Sequence, residues 1–145
     1  MLMLSGIIIS CSNGGNNDEG PDTKSAESSS LILGKWKLDK IITAGFIGEP
    51  KTFDHSQNNV VYEFKPNNLL AVSGEIKDID DYIGFPPFGN HFYDLIEEWF
   101  VDYDGTSVSG LKIDSLEFFY TISSKELIID RRQLDGNAHY LSKTQ

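Results

Sequence analysis

The segment Leu33-Gly34-Lys35-Trp36-Lys37-Leu38-Asp39-Lys40-Ile41-Ile42 alternates between polar and apolar side chains from Lys35 onward. Successive side chains of a β-strand point to opposite faces, so this alternation predicts a strand with one buried face. The period of two places Trp36, Leu38 and Ile42 on the buried face, with Lys40 among them. We therefore expect this segment to form the first strand of a small β-barrel.

Gly34 and Trp36 indicate how such a barrel could be closed at one end. A glycine has no Cβ, so another segment can pass close to Gly34. A buried indole removes roughly 150–250 Å² from water and needs a partner for its N–H. Trp36 is thus either an ordinary core residue at a strand start or a plug at the base of the barrel.

A second alternating segment follows at Val60-Val61-Tyr62-Glu63-Phe64-Lys65. Its period of two directs Val60, Tyr62 and Phe64 inward. A turn at residues 66–68, which contains a proline and two asparagines, leads into a returning strand over residues 69–73. This pair predicts an antiparallel hairpin.

Residues 90–100 are ambiguous, because two periods fit them. Phe92, Leu95 and Trp99 have the spacing of a helix face, whereas His91, Tyr93 and Leu95 alternate as in a strand. The high aromatic content and the strand-rich surroundings favour a strand.

The remaining segments extend the same pattern. Residues 44–57 contain glycines and a proline and predict a long loop, and residues 111–122 read as one strand. A buried strand over 127–129, a turn near Gly136 and a last strand over 138–143 complete an all-β domain. The inward face of the 111–122 segment carries Leu116, Phe118, Tyr120 and Ile122.

Over residues 31–145 the chain resembles small lipocalin-like lipoproteins of diderm bacteria. Gly34-Lys35-Trp36 is similar to the G-x-W signature of lipocalin-like barrels, and the closing Tyr140-Leu141-Ser142-Lys143 strand resembles theirs. The resemblance implies an antiparallel up-and-down barrel of about eight strands, with a cavity for a small apolar ligand. In that family an Arg near the last strand packs over the Trp. Arg131 and Arg132 lie one strand earlier here, so we expect Lys143 to substitute.

The first thirty residues carry no pattern of a folded domain. Residues 1–9 are mostly apolar but too short to span a bilayer, and Ile8-Ile9-Ser10-Cys11 resembles a bacterial lipobox. The resemblance implies a signal peptide over 1–11, lipid on Cys11 and an outer-membrane-anchored position in the cell envelope, although a chance cysteine is the alternative. Residues 12–30 are polar and predict a flexible tether before the barrel domain at 31–145.

Composition excludes several classes of partner and cofactor. The formal net charge is −10, which repels phosphate backbones and argues against nucleic-acid binding. The single cysteine, Cys11, excludes an intramolecular disulfide and a zinc site built from several thiolates.

Motifs for catalysis or metal binding are not found in the sequence. Asp102 and Asp104 precede a glycine as in part of a calcium loop, but the further ligands of that loop are missing. His55, His91 and His139 have no ligand spacing, and no nucleophile motif occurs. We therefore predict a protein that is not an enzyme, with no metal site and no cofactor.

Two kinds of binding fit this sequence. In the first, a small apolar ligand occupies the barrel, unless the barrel is filled by its own side chains. In the second, a surface loop binds an envelope protein or a glycan. The candidate cavity lining is Trp36, Leu38, Lys40, Tyr62, Phe64, Phe118 and Tyr120. The candidate loop residues are Tyr82, Phe85 and Phe88.

Overall fold

The computed structural model describes residues 29–45, 48–76, 86–101 and 107–144. The predicted lipid anchor at Cys11 and the loop residues Tyr82 and Phe85 lie outside these ranges. Residues 29–32 are helical, and Arg132–Leu134 is a 3₁₀ helix. The strands are β1 (Gly34–Thr43), β2 (Thr52–Asp54), β3 (Val61–Lys65), β4 (Leu69–Ser73), β5 (Gly89–Val101), β6 (Ser107–Ile113), β7 (Leu116–Ile122), β8 (Glu126–Asp130) and β9 (Asn137–Lys143).

Eight of these strands form a closed antiparallel ring. The order is β1, then β3 through β9 in sequence, and β9 pairs again with β1. Each strand lies beside its chain neighbour, which confirms the predicted up-and-down barrel. The short strand β2 pairs with the far half of β1, where Ile41 is opposite Phe53. The predicted loop over 44–57 therefore contains a short strand, β2, which pairs with β1 beyond the part of β1 that pairs with β3.

A β-bulge in β1 corrects the predicted inner face of that strand. Leu38 pairs with Leu141 and Lys40 with Tyr140, so one extra residue of β1 lies between two consecutive positions of β9. A bulge of this kind inverts the alternation beyond it. As a result Ile41 is fully buried, while Lys40 is exposed on the outer face.

The predictions for residues 90–100 and for residues 111–122 have different outcomes. Residues 90–100 belong to β5, as predicted, and the helical alternative is wrong. The predicted single strand over 111–122 is wrong, because a two-residue turn at Asp114-Ser115 divides it into β6 and β7. Ile113 pairs with Leu116 across this turn, and Asp114 has the positive φ of 51° that tight hairpin turns require.

Trp36 closes one end of the barrel together with Lys143. The indole Nε1 donates a hydrogen bond to the carbonyl oxygen of Ile32 at 2.7 Å, and Lys143 Nζ lies 4.1 Å from the indole ring centre. The ammonium also donates to the carbonyl oxygens of Leu31, at 3.1 Å, and of Leu33. Lys143 thus takes the place over the Trp at which an Arg is expected by resemblance.

Gly34 makes room for this lysine. A Cβ on Gly34 would lie 3.3 Å from Lys143 Nζ, and the glycine has a φ of +107°, which other residues rarely adopt. Burial lowers the pKa of the Lys143 ammonium. The hydrogen bonds to carbonyl oxygens and the indole face offset that cost of desolvation.

The core runs as one cluster from this closed end through the barrel. Ile32, from the helical residues before β1, is fully buried beneath Trp36. The buried residues of the core cluster are Ile32, Trp36, Leu38, Ile41, Val60, Tyr62, Phe64, Leu70, Val72, Tyr93, Leu111, Ile113, Phe118, Leu127, Ile129 and Leu141.

We expect Lys143→Met to lower the free energy of unfolding by about 2 kcal/mol, because it removes a cation–π contact and charged hydrogen bonds while keeping an apolar stem. Lys35→Met, at an exposed position of β1, is the matched control and should change stability by less than about 0.5 kcal/mol. Urea unfolding followed by tryptophan fluorescence measures both. Equal effects of the two substitutions would contradict the role given to Lys143.

Candidate functional site

Five of the seven predicted cavity residues have almost no accessible surface. The exposed fraction is 0% for Trp36, Leu38 and Tyr62, 1% for Phe64 and 2% for Phe118. A side chain that borders a space large enough for water retains accessible area on that side. These five residues therefore pack against other side chains, and this part of the barrel is filled.

The other two predicted residues lie in different places. Lys40 is on the outside of the barrel, where its Nζ is 4.7 Å from the ring centre of Tyr140. It cannot orient a ligand in the interior, so that prediction is wrong, and the bulge in β1 is the reason. Tyr120 faces inward but is only partly buried and packs against the edge of the core.

Most of the partly buried apolar side chains that pack against the core lie on β5 and β7. Leu95 of β5 is partly buried and packs against the core. On β7, Leu116, Tyr120 and Ile122 have the same property, although Phe118 between them is buried. Along β7, the buried Phe118 therefore lies between the partly buried residues Leu116 and Tyr120.

A buried polar link crosses the core between β3 and β9. The hydroxyl of Tyr62 lies 3.0 Å from Nδ1 of His139, and His139 is only 2% exposed. Burial, with a smaller contribution from the nearby His55, lowers the pKa of His139 to about 4. His139 is therefore a neutral imidazole at physiological pH, and the hydrogen bond with Tyr62 satisfies one of its ring nitrogens.

A second histidine joins two loops at the opposite end of the barrel from Trp36. His91 Nδ1 lies 2.7 Å from a carboxylate oxygen of Asp114, and Nε2 lies 2.8 Å from the carbonyl oxygen of Pro87. The hydrogen bond with His91 lowers the pKa of the Asp114 carboxyl. This contact holds the start of β5 against the turn between β6 and β7.

These histidines do not combine into a metal site. Each has its own partners, since the third histidine, His55, pairs with Asn58 at 3.0 Å through Nδ1. Within the described part of the chain, no three His, Cys, Asp or Glu side chains are grouped as metal ligands.

The outer face of β5 carries aromatic side chains in two different settings. Trp99 is partly covered, because its ring stacks on Phe119 with centroids 4.6 Å apart and its Nε1 donates to Glu117 at 2.8 Å. Gly110 permits this position, since a Cβ there would lie 2.9 Å from the indole. Phe92, in contrast, is 71% exposed, and Phe88 just before β5 is 43% exposed.

Phe92 was not among the residues predicted to bind a partner. The strand interpretation of residues 90–100 directs His91 and Tyr93 inward. Because successive side chains alternate, it also places Phe92 on the outer face, and this alternation could have identified Phe92 as exposed. Of the predicted loop residues, Phe88 lies in the described part of the chain and is exposed.

Comparisons with known proteins do not assign this chain to a family. No protein-family model, no curated protein and no solved structure matches this chain. Among the described residues, no helix is both long enough and apolar enough to cross a membrane.

We expect the neutral His139 to make the fold sensitive to acid. Its pKa is about 4 in the folded chain and near 6.5 when unfolded, so above pH 6.5 neither state is protonated. As the pH falls below that value the unfolded state takes up the proton first, and stability decreases. One pKa unit corresponds to 1.36 kcal/mol, so the loss reaches about 2 kcal/mol near pH 5.

Urea unfolding at about pH 7.5 and pH 5 tests this expectation. His139→Leu should cost stability at neutral pH, because the hydrogen bond between Tyr62 and His139 is lost, but should show a smaller decrease on acidification than the unaltered chain. The imidazole resonances of His139 should not titrate above about pH 5. Titration of these resonances near 6.5 would contradict the burial described here.

Proposed function

We propose that this chain is a non-catalytic binding module of lipocalin-like type, held at a membrane of the cell envelope by lipid on Cys11. We propose further that it binds an envelope protein or a glycan with the outer surface of the barrel, rather than a ligand at its centre. The observation that carries this proposal is the packing of Trp36, Leu38, Tyr62 and Phe64, which are at most 1% exposed.

Phe92 and Phe88 support the choice of the outer surface. Large aromatic side chains that remain in water are common at sites of protein recognition, where they become buried by a partner. Phe92 contributes little to the core, since 71% of it is exposed. Its backbone is fixed, because it pairs with Leu69 of β4 and its carbonyl oxygen accepts a hydrogen bond from Asp114, so a partner would not have to order the backbone.

The negative charge of the chain indicates which surface charge a partner should have. A formal net charge of −10 favours association with neutral or basic surfaces and disfavours acidic ones. A basic partner should therefore associate faster at low ionic strength than at high ionic strength.

Binding of a small apolar ligand inside the barrel is the second candidate. It is favoured by one observation, namely that Leu95, Leu116, Tyr120 and Ile122 face inward and keep accessible surface.

Substitution of Phe92 tests the proposed surface. We expect Phe92→Ala to reduce capture of the partner from a solubilised envelope fraction by tenfold or more, taking a hot-spot contribution of about 2 kcal/mol. Leu134→Ala is the matched control, because Leu134 is also an exposed apolar residue, at 42%, but lies on the 3₁₀ helix. Unaltered capture by Phe92→Ala, or an equal loss with Leu134→Ala, would contradict the proposal.

A lipid extract distinguishes the two candidates. The purified chain is incubated with a cell lipid extract, washed and analysed by mass spectrometry under native conditions. We expect no retained small molecule. Stoichiometric retention of an apolar compound, weakened by Tyr120→Ala, would replace the surface proposal with the second candidate.

A further inference from the structure

A groove of about 420 Å³ lies on the outer face of the barrel, where β8, β9, β1 and β2 are adjacent. One row of paired residues crosses these strands, in the order Ile128, Tyr140, Lys40 and Asp54. Neighbouring strands are about 4.8 Å apart, so this row is roughly 14 Å wide. The groove lies on the opposite side of the ring from β5 and is therefore separate from the surface at Phe92.

Three carboxylates line this groove. Asp54 and Glu126 are exposed, and Asp39, which the β-bulge in β1 adds to the outer face, is half-buried. Ser142 Oγ donates to Asp39 Oδ1 at 3.2 Å, but none of the ion pairs among the described residues includes these three acids. Lys40 is the one cation in the lining, so the groove has a formal charge of −2.

The floor of the groove is partly apolar. Ile128 and Tyr140 are half-buried on the outer face, and Lys40 Nζ lies 4.7 Å from the centre of the Tyr140 ring. An ammonium over an aromatic face is a favourable contact, and here a side chain of the groove itself makes it. An alkylammonium group therefore fits on this floor, beside carboxylates that form no ion pair within the described part of the chain.

We propose that the groove binds an extended segment of a partner protein, with a lysine at each end of one face and an apolar residue between them. An extended chain advances about 3.3 Å per residue, so side chains four residues apart are roughly 13 Å apart, close to the width of the groove. The two ammonium groups then lie near Asp54 and Glu126, and the apolar side chain rests on Ile128 and Tyr140.

Charge complementarity selects a basic partner over a second copy of this chain. The groove is negative, and a second copy carries a formal net charge of −10, so the two repel each other. A lysine-containing segment instead supplies the charges that the three carboxylates lack. Exposed ion pairs contribute little singly, so binding depends on two of them acting together with the apolar contact.

Titration of the full, ¹⁵N-labelled chain with the acetylated and amidated peptide Lys-Ser-Leu-Ser-Lys tests the groove directly. We expect saturable shifts of the backbone amides of Ile128, Tyr140 and Asp54, and no such shifts with Glu-Ser-Leu-Ser-Glu. Replacing the central leucine of the probe by serine should weaken binding by about threefold or more, because the apolar contact is lost. Absence of shifts at these amides, or equal binding of the acidic peptide, would overturn the proposal.

Substitution of the two exposed carboxylates tests the charge of the groove. Asp54→Asn combined with Glu126→Gln should weaken binding of Lys-Ser-Leu-Ser-Lys by about tenfold, because two exposed ion pairs are lost. Asp94→Asn combined with Glu97→Gln is the matched control, since it removes two exposed carboxylates from β5 on the other side of the ring. It should leave binding within about twofold, and an equal loss in both variants would show a general effect of charge and contradict the site.

Lys40 gives a test of opposite sign. Lys40→Gln should strengthen binding of the basic peptide by about threefold or more, because it removes the ammonium that already occupies the Tyr140 ring. Lys35→Gln removes the same charge from an exposed position of β1 outside the groove and should have less than about a twofold effect. Equal effects of the two substitutions, or weaker binding by Lys40→Gln, would contradict the proposal.

Light scattering at low ionic strength tests the second copy as the occupant. We expect a monomer, and a dimer that the Asp54→Asn and Glu126→Gln substitutions dissociate would assign the groove to a second copy and overturn the proposal. Phe92→Ala should leave binding of the peptide unchanged. Loss of peptide binding at the groove and loss of capture through Phe92 are therefore separate results. If a variant does not fold, the comparison of the basic and acidic peptides on the unaltered chain decides alone.

Discussion

The pairing of the first strand with the last is the constraint on which this structure depends. β1 pairs with β3 along one edge and with β9 along the other, so no edge of the ring is left to aggregate. At one end of this seam Trp36 is opposite Lys143, and the two side chains join the helical residues before β1 to the end of β9. The contact closes the ring and also covers its base.

Closure and packing together determine where binding can occur. A ring of eight strands is just wide enough for side chains to fill it, and in this chain large residues such as Trp36, Tyr62 and Phe64 do so. The surface proposed for recognition is therefore the outer face, where Phe92 is exposed. The neutral His139 belongs to the packed interior, and its role there is structural.

Much of the fold could be predicted from the sequence, because a period of two is a local signal. That period correctly buried Trp36, Leu38, Tyr62 and Phe64 and correctly assigned residues 90–100 to a strand. It failed at the bulge in β1, since Ile41 and Ile42 are both apolar and either can serve as the inner residue. It also missed the turn at Asp114-Ser115, although the change of parity between Ile113 and Leu116 marked it.

The candidate site was less predictable, because it depends on contacts between distant parts of the chain. Whether a barrel is filled depends on the summed volume of its inner side chains and on Ile32, which covers the base. Lys40 was misplaced by the bulge alone.

Amide hydrogen exchange along β1 tests the closed ring most directly. Successive amides of a strand point to opposite neighbours, so an edge strand exchanges rapidly at every second residue. In a closed barrel both sets of β1 amides, at odd and at even positions from Lys35 to Leu38, exchange as slowly as those of the β3–β4 pair. Rapid exchange at alternate residues of β1 would show an open sheet and contradict the structure on which the proposed sites rest.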